Sequence, residues 1–187
     1  MIVREGRDEK DVDTFRSLLE ALCRRKGILP TPPQPDFFQH LWRVFSRHGI
    51  LNIFLAEFGQ RAIAGHLAFP FGDTVRIWKV GWDGSMPRHY PNELLHWRTI
   101  EWAKENGFHN LDLVGANRRW AEAVLRNDPP PERAEFSETQ FKAGFGGRTL
   151  FVPEACCKFG NPLVSIMVMA FGKRFLTSAV AKRFSGI

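Results

Sequence analysis

Lys142 stands between Phe141 and Phe145, just ahead of Gly146-Gly147, and apolar neighbours of that kind would hold an ammonium in a fixed place. The plainer alternative is a solvated loop lysine whose neighbouring rings pack the core. Asp112 is the one acid in the run Leu111-Asp112-Leu113-Val114. A carboxylate so placed either serves a substrate as anchor or base, or accepts hydrogen bonds from nearby loop amides. His66 alternates with Ala64 and Ala68, so the three share one strand face, and the imidazole is either a base or a packed, hydrogen-bonded side chain. Arg88 and His89 lie just before Pro91, where a helix start would let them meet phosphate, unless they only form a surface turn. No cysteine or serine has the neighbours that would activate it as a nucleophile.

These side chains need elements to position them, and the stretch from Tyr90 to Gly115 supplies the centre. Pro91 fits the first turn of a helix, and Gly107 after Asn106 supplies a left-handed residue that ends one. A helix is therefore expected over Asn92–Asn106. Leu95, Ile100, Trp102 and Ala103 share one side of it, and Glu93, Arg98, Glu101, Lys104 and Glu105 the other, as in a helix lying on a sheet. Trp97 falls among the charges and is a candidate contact for a second domain, a dimer partner or the tail. A short strand, Leu111–Val114, follows, and Gly115 ends it.

Upstream, Ile2–Arg4 forms a short first strand. Asp8 then caps a helix whose Val12, Phe15, Leu18, Leu19, Leu22 and Cys23 recur at helical spacing until Gly27. The proline-rich Leu29–Pro35 excludes helix and central strand, and a second helix runs from about Asp36 to Gly49. Leu51–Phe58, Ala62–Phe71 and Thr74–Trp82 are rich in β-branched and aromatic residues and make three antiparallel strands joined by two hairpins. After a polar, proline-rich loop around Asp128–Glu132, Leu150–Val152 has the pattern of a last strand. The expected class is α/β of the α+β kind: a mixed, mostly antiparallel sheet flanked by helices in residues 1–155, then a helical tail in residues 156–187.

With 187 residues, 44% of them hydrophobic, the chain can bury a core. Its net charge of +6 is concentrated at the end: residues 154–187 carry five Lys and Arg against one Glu, four of the six excess charges. The body is nearly neutral, which argues against a broad nucleic-acid groove. Three cysteines, two of them adjacent, favour a reducing compartment and match no zinc spacing. With no apolar leader and no long uncharged span, the expectation is a cytoplasmic chain. In the tail, Phe171, Phe175, Leu176, Ala179, Val180 and Phe184 oppose Lys173, Arg174, Lys182 and Arg183. Such a basic amphipathic helix either covers protein or lies on an anionic membrane surface, peripheral to its inner face.

Four phrases carry a family likeness: Ala62-Ile63-Ala64-Gly65, the helix start Pro91-Asn92-Glu93-Leu94-Leu95-His96-Trp97, the strand end Leu111-Asp112-Leu113-Val114-Gly115, and Gln140-Phe141-Lys142-Ala143-Gly144-Phe145-Gly146. Together they resemble the FemAB-like branch of the GNAT acyltransferases over roughly residues 1–155. The resemblance implies transfer of an acyl or aminoacyl group, from acyl-CoA such as acetyl-CoA or from charged tRNA, to a small-molecule or cell-envelope precursor amine. It implies direct attack in a cleft where Thr74–Trp82 and Leu111–Val114 splay apart and expose main-chain amides. On that likeness Val80, Trp82 and Phe141, with Arg88, His89, Tyr90 and Asn92 at the helix entry, hold the donor. Lys142 neutralises charge on the donor, Asp112 and His66 are candidates for the base, and no metal is needed. The chain departs from the family in three ways. Arg88-His89-Tyr90-Pro91-Asn92 has no glycine where CoA-dependent members carry a glycine-rich turn, Leu113 stands where an aromatic is common, and there is room for one GNAT-like half rather than two. A second half or a homodimer would complete such a site, and a non-catalytic binding module acting through Trp97 and the tail is the alternative.

Overall fold

The computed structural model describes residues 1–129 and 137–152, with Ile166 and Ala170. Its elements run β1 (Ile2–Glu5), α1 (Glu9–Lys26), α2 (Phe37–Phe45), β2 (Asn52–Phe58), β3 (Arg61–Phe71), β4 (Thr74–Trp82), α3 (Pro91–Glu105), β5 (Asn110–Asp112), α4 (Arg118–Leu125) and α5 (Ser137–Ala143). α1 begins where the Asp8 carboxylate accepts the N–H groups of Lys10 and Asp11 and ends at Gly27, whose left-handed φ of 64° lets its N–H close on Arg24. The sheet order is β1-β2-β3-β4-β5; the first four strands are antiparallel and β5 lies parallel to β4. A parallel neighbour needs a crossover, and α3 supplies it.

Strand alternation divides the core between the two faces. Ile53, Leu55 and Leu67 face α1 and α2 and pack with Val12, Phe15, Leu18, Leu19 and Phe38. Phe54, Ala56, Ala64 and Ala68 face α3 and pack with Leu95 and Ala103. On the first face α1 lies against the backbone of β4 itself. A Cβ at Gly81 would stand 2.5 Å from the Leu19 nitrogen and 2.7 Å from the Leu18 carbonyl carbon, so the helix sits where a side chain would otherwise project.

The chain divides into two compact units, Met1–Gly147 and Arg148–Ile187. In the second, Leu150–Val152 is not the strand that its pattern suggested: these residues have no regular structure and are 80%, 58% and 82% exposed. A three-residue apolar run becomes a strand only beside an edge that accepts its hydrogen bonds, and none pairs with it among the described residues. The amphipathic stretch of the tail and Cys156 and Cys157 lie outside the described residues. No described helix is long and apolar enough to cross a membrane.

Replacing Gly81 with alanine should push α1 off β4. The expected cost is about 2–3 kcal/mol of stability in urea unfolding. Gly147→Ala, where nothing lies within 4 Å of the added methyl, should cost less than about 0.5 kcal/mol.

Candidate active site

β4 and β5 are joined only at their beginnings. Thr74, Val75 and Arg76 pair with Asn110, Leu111 and Asp112, and there the ladder stops although β4 continues to Trp82. Two local distortions cause the parting. On β4, Leu67 pairs with Lys79 and Ala68 with Ile77, leaving Trp78 as an extra residue; such a bulge bends and twists its strand. On β5, Val114 and Gly115 take left-handed φ values of 52° and 56° immediately past the strand and turn the chain away. The strand therefore ends at Asp112, not at Val114 as the apolar run suggested.

The main chain of the free half of β4 has a defined direction. Asp83 N–H donates to the Ile63 carbonyl at 3.1 Å. In an antiparallel ladder bonded pairs alternate, so Gly81 with Gly65 and Lys79 with Leu67 exchange bonds, while Val80 and Trp82 direct their N–H and C=O groups away from β3. Those groups face the opening. The Trp82 carbonyl has one partner there, Nη1 of Arg25 at 2.9 Å.

Across the opening, the β5 exit is tied down by Lys142. Its ammonium donates to the carbonyls of Val114 at 2.6 Å and Gly115 at 2.8 Å and to Oε1 of Glu138 at 2.9 Å. All three N–H bonds are thus used on the protein's own acceptors. The bond to Lys142 holds the Glu138 carboxyl below its usual range. Asp112 accepts Val114 N–H at 2.8 Å and Nε of Arg76 at 2.9 Å. Lys142 thus clamps the β5 exit, and Asp112 bonds a loop amide as well as Arg76.

At the entry to α3, the turn between β4 and the helix is left-handed at both Met86 and Tyr90. Tyr90 makes no side-chain cap bond, so the helix start offers uncapped N–H groups. Arg88 and Tyr90 are exposed, while the His89 ring packs edge-on against Phe58 at 5.2 Å between centroids. The Asn92 carbonyl accepts Nδ1–H of His96 at 2.7 Å, and the Asn92 side-chain oxygen is buried without a partner among the described residues.

Behind the opening, between sheet and α3, lie two buried histidines. His66 Nε2 is 2.7 Å from the Thr99 hydroxyl, which itself donates to the Leu95 carbonyl at 3.0 Å. His66 therefore carries its proton on Nε2, and its buried Nδ1 has no partner among the described residues. His96 meets His66 edge-on at 5.3 Å, stacks on Phe145 at 5.6 Å and meets Phe141 edge-on at 5.0 Å. Burial pushes the His66 imidazole well below its usual range, and His96 adds to this. Burial lowers His96 as well, against the Asn92 carbonyl and with help from the Lys142 charge.

A family model for the acetyltransferase (GNAT) domain matches residues 1–122. The chain belongs to the GNAT acetyltransferase family. It is accordingly an acyltransferase, of the class that acts on amines. No curated protein sequence matches it significantly. Among solved structures, FemX is 12% identical with a TM-score of 0.58, over 74% of this chain and 48% of that one, so this chain spans about half of FemX. Aminoglycoside N-acetyltransferase AAC(6')-Iy in complex with CoA is 12% identical (TM-score 0.54; 86% and 95% covered). A ribosomal-protein-alanine N-acetyltransferase from Brucella melitensis biovar Abortus 2308 is 10% identical (TM-score 0.55; 85% and 100% covered). At such identities these likenesses show the fold.

Within this GNAT domain the structure brings Val80, Trp82, Asp112 and Lys142 to the two sides of one opening and sets Arg88, Tyr90 and Asn92 at the helix entry. It takes His66 into the core, fully buried, and turns Phe141 against His96. Sequence reasoning passed over Arg25 and His96. Helical spacing does place Arg25 on the face of Leu18 and Leu22, and His96 four residues after Asn92, but neither spacing names a target.

Neither imidazole protonates readily in the folded state, whereas both do near pH 6.5 once unfolded. Stability is therefore complete above about pH 6.5 and falls as the pH drops below it, by up to about 1.4 kcal/mol per pH unit per histidine. Unfolding free energies between pH 7.5 and pH 5.0 should show this slope, and His66→Leu should flatten it.

Proposed function

We propose that this GNAT domain moves an acyl group from acyl-CoA to an amine, within the FemAB-like branch, with the donor laid along the free half of β4. One observation carries the reading: beyond Arg76 the strands part, and Val80 and Trp82 turn their main-chain groups into the space between. An extended thioester pairs with such an edge as a strand would. Val80 N–H then points at the carbonyl oxygen, where negative charge grows as the amine attacks. The acceptor attacks as the neutral amine; the new C–N bond forms, the C–S bond breaks, and the proton shed by the nitrogen passes to the departing thiolate. No covalent enzyme intermediate enters. The uncapped start of α3 supports an anionic donor end, and the CoA complex of the aminoglycoside N-acetyltransferase supports CoA over tRNA as the donor.

Asp112, half-exposed at the mouth and bonded once through each oxygen, retains lone pairs to orient an incoming ammonium. Lys142 is a positioning residue, because its bonds hold the β5 exit that forms the far wall.

Val80→Pro deletes the N–H that faces the opening without removing a bond to β3. It should fold, bind acetyl-CoA in calorimetry and lose at least about 100-fold in kcat, while Val80→Ala stays within a few-fold. Wild-type protein that gives no heat with any acyl-CoA would refute the donor assignment. Lys142→Met leaves the Val114 and Gly115 carbonyls without their donor and should raise the donor KM about tenfold, with a loss of roughly 1–2 kcal/mol in stability.

A further inference from the structure

Resting on the acyl-CoA reading above, we propose that Arg25, on the last turn of α1, is the residue by which this domain selects donors with a phosphate-bearing end. The guanidinium reaches 57 residues along the chain to the Trp82 carbonyl, at 2.9 Å from Nη1, and its central carbon lies 4.5 Å from the centre of the Trp82 ring. α1 packs on one face of the sheet, and Trp82 packs with the core on the other. The side chain therefore passes around the unpaired edge of β4 at the end of the opening.

The space that it occupies is kept free for it. A Cβ on Gly84, whose φ is 87°, would collide with Nη1 of Arg25. Asp83, the one acid between Trp82 and Pro91, is already paired with Arg61 and with Ser85. Lys26, the next cation along, turns to Glu138 at 3.5 Å. Arg25 is exposed, and no carboxylate pairs with it among the described residues. One of its five N–H bonds is spent on Trp82, and the rest of the fork is available to a planar or tetrahedral oxyanion.

Two consequences follow for a donor on β4. Strand-like pairing stops at Val80 and the Trp82 N–H, because the next carbonyl is taken. The part of the donor beyond that point meets a fixed guanidinium, in a chain whose turn before α3 has no glycine at residues 88–92 to wrap a pyrophosphate in main-chain amides. A cation from α1 supplies what that turn lacks.

The test compares acetyl-CoA with S-acetyl-pantetheine, which carries the thioester arm without phosphate, in the full-length wild type, Arg25→Ala and Arg25→Lys. Arg25→Ala should lose about tenfold in kcat/KM with acetyl-CoA and less than about twofold with the phosphate-free thioester, and Arg25→Lys should recover part of the loss. Gly84→Ala, which displaces the guanidinium while leaving its charge, should shift the ratio of the two donors in the same direction. Equal losses on both thioesters, or none on either, would overturn the role of Arg25 and leave the donor reading intact. A wild type that gives no heat with either thioester in calorimetry would overturn both.

Discussion

β4 and β5 cannot stay paired beyond Arg76, because the extra residue at Trp78 bends one strand and the left-handed Val114-Gly115 turn removes the other. Main-chain groups in a sheet interior are normally satisfied by a neighbour, so a strand that keeps its direction after losing its neighbour presents an ordered row of donors and acceptors. That row is worth more to catalysis than flexible side chains would be, since it is already oriented before a substrate arrives. The Lys142 clamp matters for the same reason: carbonyls in a left-handed turn have no regular partner, and an ammonium that takes two of them at once fixes the far wall.

The two faces of the sheet support this opening differently. On the α1 face, the bare backbone of Gly81 lets the helix lie close, and that close approach brings the last turn of α1 within reach of the strand edge. On the α3 face, the support includes two imidazoles kept neutral by burial, one held by Thr99 and the other by the Asn92 carbonyl. Buried polar groups cost stability unless bonded, and the orphaned Nδ1 of His66 and side-chain oxygen of Asn92 show that the bonding here is incomplete.

The GNAT fold is present here, and tertiary contacts place its charged side chains. The turn into α3 contains no glycine at residues 88–92 and reaches left-handed geometry through Met86 and Tyr90 instead. Meanwhile the lysine of the Phe141–Gly146 phrase is turned inward to the protein's own carbonyls. The Arg25 guanidinium of α1 lies at the Trp82 carbonyl, beside the open strand. A fold fixes where main-chain groups lie more firmly than which side chains accompany them.

Most helices and strands that carry the site were legible in the sequence, because each rests on local chemistry; α4 and α5, the latter bearing Lys142, were not, and their stretch reads as polar loop. The Asp8 cap and Gly27 stop bound α1, and hairpin turns at Gly59 and Gly72 separate the meandering strands. Pro91 and the apolar stripe ending before Gly107 define α3. Local reasoning failed where a long-range partner decided the outcome. Leu150–Val152 has a strand's composition and no strand's neighbour, and Val114 adopts a conformation that no aliphatic run announces. Periodicity and capping alone give the order of elements from β1 to β5, the shared face of Ala64, His66 and Ala68, and the stretch in which a lysine lies between two phenylalanines. Only the tertiary structure decided that this lysine grips carbonyls 28 and 27 residues away, that Arg25 crosses to Trp82, and that His66 is sealed in the core. Hydrogen bonds between groups so distant in the chain depend on how the layers stack, and no local pattern encodes that.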